Sequence, residues 1–91
     1  MPCPDIHDYE VTDHAQWAMT RRGISKAEVN RVLKRPEQRE VVEDGRCVYQ
    51  SRITLGDPPT AYLIRVFVDI NRDPPQVVTV YRTSKVQKYW R

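Results

Sequence analysis

Between Val11 and Gly23 the small and apolar residues return every three or four positions. Ala15, Ala18, Met19 and Arg22 fall on one stripe, the spacing of a helix with one buried side. Thr12 or Asp13 can cap the first turn, and Gly23 suits the left-handed residue that ends a helix. The signal is clearer over GISKAEVNRVLKRP at 23–36. There Ser25 and Glu28 have capping-box spacing, Ile24 and Val29 that of a hydrophobic staple, and Val29, Val32 and Leu33 form the buried stripe. Pro36 stops the helix by pushing its predecessor out of the α region. The link from Gly23 to Ser25 is short, so the two helices are predicted to form an αα-hairpin.

From Gln38 onward the period changes to two. Asp44-Gly45 between two strand-like runs is a strong hairpin signal. In the second run Cys47, Tyr49, Ile53 and Leu55 alternate with Val48, Gln50, Arg52 and Thr54. The first set is expected to face a core, the second the opposite face of the sheet. AYLIRVFVD at 61–69 is apolar on both faces except at Arg65, the mark of a central strand. GDPPT and NRDPPQ read as loops, and VVTVYR as the last strand, with Tyr81 facing as Thr79 and Val77 do and Arg82 as Val78 and Val80 do. The expected fold is α+β, a helical hairpin packed on one face of a four-stranded, mainly antiparallel twisted sheet. Residues 1–10 are expected to form an N-terminal arm and residues 11–91 a single domain.

Ninety-one residues suit one domain with a simple core. No apolar run approaches the roughly 20 residues of a membrane span, and the first ten residues carry three acids and no apolar leader core. Cytoplasm is therefore the expected location and no membrane partner is expected. Cys3 and Cys47 are too few for a disulfide framework, and both read as free thiols of a reducing compartment. The net charge of +3 is unevenly spread. Residues 14–35 hold six cations against Glu28 alone, and residues 76–91 hold Arg82, Lys85, Lys88 and Arg91 with no acid. If these segments share a face, it favours anionic partners.

The run Thr12-x-His14-Ala15, RRGIS at 21–25, the hairpin DGRCVYQSRI and the terminal VVTVYRTSKVQKYW resemble an uncharacterised bacterial domain-of-unknown-function family (number 4258). That family is similar to BrnT-type toxins and, through its fold, to the wider RelE/ParE toxin superfamily. The resemblance runs from about Val11 to Trp90 and implies a RelE/ParE-like α+β domain. In that superfamily some members are metal-independent ribonucleases, others act on gyrase without cutting RNA, and some have no toxic activity. The fold by itself assigns none of these.

Metal-free RNA cleavage needs a base for the 2′-hydroxyl, cations for the charged intermediate and an acid for the leaving oxygen. His14 is the only histidine in the body of the fold and is the candidate base, or else fixes the helix entry. Arg52, Arg65 and Arg82 are candidate phosphate ligands. Arg65, between Ile64 and Val66, is the most anomalous; its alternative partners are Asp69 or a glutamate. Thr83, Ser84 and Tyr81 are the candidate polar partners, Tyr81 by stacking or proton donation. Tyr49 and Trp17 read as packing, and Tyr89 and Trp90 as a clasp for the turn after Arg82. Cys3, His7 and Asp8 make a poor metal site, and no cofactor is expected. The leading reading is a toxin-like endoribonuclease acting on RNA. Its competitors are a non-catalytic nucleic-acid- or protein-binding module, and a structural domain paired with an antitoxin-like protein.

Overall fold

A computed structural model describes residues 3–91. The chain runs β1 (Glu10–Val11), α1 (Asp13–Arg22), α2 (Lys26–Lys34), β2 (Gln38–Glu43), β3 (Arg46–Leu55), β4 (Thr60–Asp69), β5 (Gln76–Thr83) and α3 (Val86–Tyr89). Both long helices form as their caps dictate. Thr12 accepts a hydrogen bond from the Ala15 amide at 3.1 Å, and Gly23 closes α1 at φ 63°. Ser25 and Glu28 make both bonds of the capping box of α2. α2 buries Val29, Val32 and Leu33 against the sheet. Each stabilises the fold by roughly 1.5–3 kcal/mol.

The sheet has five strands in the order β1-β5-β4-β3-β2, so the expected four-stranded sheet gains a strand and becomes mixed. β2 to β5 are antiparallel neighbours, while β1 pairs with β5 in parallel through Glu10↔Gln76 and Val11↔Val77. Two residues are too few to show a period, and β1 lies across the expected boundary between arm and domain. The stretch before it is tied down. Ile6 is buried, Lys34 donates to the His7 carbonyl at 2.8 Å, and Arg39 pairs with Asp5 at 2.7 Å. Cys3 and Cys47 form a disulfide, with Cα atoms 5.9 Å apart, which corrects the reading of both as free thiols. A disulfide belongs to oxidising surroundings, so the argument from free thiols to a reducing compartment falls with it. Among the described residues no helix is long and apolar enough to cross a membrane.

The helical side of the sheet carries the main core of Cys47, Tyr49, Ile64, Val66, Val68, Val77 and Val80. A bulge explains Val77. Phe67 pairs with Thr79 and Val68 with Val77, so Val78 is the extra residue. The alternation that assigned Val77 to the side of Tyr81 is broken there, and both Val77 and Val80 face the helices. The opposite side is covered too. α3 and the residues after it fold back across it, so helices cover both faces. Trp17, expected to pack, is 54% exposed on α1.

Candidate anion site on the sheet

Cross-strand register decides which candidates meet. Gln50 pairs with Arg65 and Arg65 with Tyr81, so the three side chains stand in a row on the face away from α1 and α2. Arg52 lies one step along that face, opposite Leu63, and Thr83 lies on the far side of Leu63. Arg82 pairs with Ile64 and therefore points to the helical side, where its guanidinium lies 5.6 Å from the Tyr62 ring. His14 is exposed on α1, with its ring 5.6 Å from that of Trp17. α1 starts beside Val77, to which Thr12 is bonded, five residues of strand from Arg82, or roughly 15 Å. Ser84 is exposed beyond the strand. The structure thus brings Arg52, Arg65, Tyr81 and Thr83 to one face and leaves His14, Arg82 and Ser84 off it. Of the second basic segment, only Arg82 is on the side of the first. Residues 14–35 build the helical layer, and the tail lies on the other side.

Arg65 is the centre of the row. It is 8% exposed, and it joins none of the five ion pairs among the described residues. Asp69, its expected alternative partner, holds Arg46 at 2.7 Å instead. Nε of Arg65 donates to Gln50 Oε1 at 2.9 Å, and Nη1 to the Tyr81 hydroxyl at 2.6 Å. Nη2 has no hydrogen bond among the described residues. Every fully buried side-chain nitrogen or oxygen among the described residues has a partner, so Nη2 keeps an edge in solvent. Three rings surround the cation: Tyr89 at 4.2 Å, Phe67 at 5.3 Å and Tyr81 at 5.6 Å. Such rings attract a guanidinium but do not neutralise it.

The tail closes the cage from above. The Tyr89 carbonyl accepts from Gln50 Nε2 at 3.1 Å, and Gln38 Nε2 donates to the Arg91 carbonyl at 2.8 Å. Arg91 pairs with Glu40 at 2.8 Å. Trp90 lies 4.2 Å from the Arg52 guanidinium, which also chelates Glu37 at 3.1 and 3.0 Å. Tyr89 and Trp90 therefore do pack as a clasp, and what they clasp is two arginines. Burial pushes the Tyr81 hydroxyl above its ordinary value, while interaction with Tyr81 holds Tyr89 below its own. Gln50, Phe67 and Tyr89 were not among the candidate residues. The alternation had placed Gln50 on the face of Arg52, but nothing local tied it to Arg65.

Fold and site define an α+β domain with a buried, unneutralised guanidinium on the second face of its sheet. The chain belongs to a family described as a domain of unknown function (DUF4258), whose family model matches residues 11–82. That span contains Arg65, Gln50 and Tyr81 and stops before the tail. No curated protein and no solved structure is significantly similar to the chain.

Proposed function

We propose that this chain is a toxin-like domain that binds RNA on the sheet face around Arg65. The observation that carries the reading is the Arg65 guanidinium, buried with no carboxylate paired to it among the described residues. A charge held out of water without a counter-ion is costly. A phosphate arriving at the free Nη2 edge supplies the missing anion. The surrounding rings give unstacked bases a surface on which to pack. The resemblance to BrnT-type and RelE/ParE toxins supports RNA as the anion.

The tyrosine pair favours a second reading, metal-independent cleavage of the bound strand. Two phenols meet at the Arg65 guanidinium: the Tyr81 hydroxyl accepts from Nη1 at 2.6 Å, and the Tyr89 ring lies 4.2 Å away. In this reading Tyr81, bonded to Arg65, donates a proton to the leaving oxygen, and Tyr89 accepts that of the 2′-hydroxyl. His14 and Arg82 take no part, since neither reaches this face.

One experiment addresses both readings. Labelled single-stranded RNA is incubated with the protein in chelator, and binding and integrity are followed together. Arg65→Gln is expected to weaken binding by about tenfold or more, the loss of one charge-assisted pair, and native binding is expected to weaken as salt rises. Equal affinity of native protein and Arg65→Gln would overturn the binding reading. RNA that stays intact under native protein, or is cut equally by Tyr81→Phe, would overturn the catalytic one.

A further inference from the structure

β3 and β4 outrun the helices. Each has ten residues, while α2 has nine. At about 3.3 Å per strand residue and 1.5 Å per helix residue, the strands are more than twice as long. The helical side of the sheet therefore continues past the end of α2. A cleft of about 280 Å³ opens at that step. Its floor is aliphatic: Val32 from the helix, Ile53 and Ile64 from the sheet. Its rim is cationic. Arg31 and Arg35 are exposed, and neither joins any of the five ion pairs among the described residues. Arg82, the register partner of Ile64, is half-buried on the same face and also joins none of these ion pairs. The rim holds three arginines, Arg52 included, against two acids, of which Glu37 is paired and Glu28 keeps its charge. Glu28 accepts from the Ser25 amide at 2.9 Å, and Glu37 chelates Arg52.

We propose that this cleft docks an acidic segment of a partner protein that carries one bulky apolar side chain. The volume lies just below the roughly 300 Å³ at which small-molecule pockets begin, which suits a single buried anchor of the kind that dominates protein interfaces. The unpaired arginines then steer the acidic flanks and fix their register. RNA fits less well. The floor of Val32, Ile53 and Ile64 offers no flat ring to a base. The site is separate from Arg65, which lies on the other face.

The test is an NMR titration of the isotope-labelled full-length protein with a short synthetic acidic peptide bearing one central tryptophan. The methyl signals of Val32, Ile53 and Ile64 are expected to shift, with those of the Tyr81 and Thr83 amides unmoved. Replacing the central tryptophan with alanine is expected to weaken binding about tenfold. The double variant Arg31→Gln/Arg35→Gln is expected to weaken it about fivefold while its unbound spectrum away from the cleft stays native. Arg65→Gln is expected to bind the peptide as the native protein does, so this proposal and the RNA reading fail separately. Three results would each overturn it: methyls unmoved at millimolar peptide, equal affinity for the alanine peptide, or the same methyls shifted by a single-stranded RNA oligonucleotide.

Discussion

Arg65 is held by an amide and a phenol where a structural arginine would be held by a carboxylate. That difference has a measurable consequence. Arg65→Met removes the desolvated charge and leaves Gln50 Oε1 without its donor. The second effect costs about 1–3 kcal/mol, and the first offsets it. Stability in urea is therefore expected to stay within about 1 kcal/mol of native. A loss above about 3 kcal/mol would mark Arg65 as part of the scaffold. The anomaly itself was legible in the sequence, because a cation between Ile64 and Val66 in the most apolar strand demands an explanation. Its surroundings were not. Gln50 reaches Arg65 through cross-strand register, and Tyr89 through the fold-back of the tail. Neither is encoded near residue 65.

At the scale of elements, the local signals were sound and the long-range ones were silent. The helix caps and the Asp44-Gly45 turn are contacts within a few residues, and each formed as read. The bulge at Val78 depends on strand partners about ten residues away, and the two-residue β1 and the path of the tail on partners tens of residues away. The disulfide is the sharpest case, since it joins residues 44 apart, and a count of two cysteines does not distinguish a bridge from two thiols. It fastens the segment before β1 onto the core strand β3. Cys3→Ser is expected to lower stability by about 2–4 kcal/mol, the usual effect of losing a bridge that closes a long loop. Hydrogen exchange should quicken in residues 3–9 while the centre of β3 and β4 stays protected. A loss below about 0.5 kcal/mol would show that the bridge does not constrain the chain.

At the scale of the molecule, the sheet separates two chemistries. One face carries the ringed Arg65; the other carries the helices and, past their end, the arginine-rimmed cleft. Arg52 with Glu37 stands between them and leaves a trace in the response to acid. The Arg52 hydrogen bond holds Glu37 below its ordinary value of 4.5, and Arg39 likewise holds Asp5 below 3.8. Both groups bind fewer protons folded than unfolded. Their contribution is therefore complete above those ordinary values and is lost as pH falls through the depressed folded ones. Thermal unfolding of Glu37→Gln is expected to show a shallower decline with acid than native protein below about pH 4.5. An identical slope would rule out Glu37 as a contributor.

The parallel pairing of β1 with β5 also governs the order of assembly. The helical hairpin and the β2–β4 meander are built from neighbours in the chain, and such contacts form early. β1 waits for Gln76 and Val77, more than sixty residues downstream. On a ribosome the first strand of this domain thus cannot pair until β5 has been made, and residues 10 and 11 wait for their partners until then.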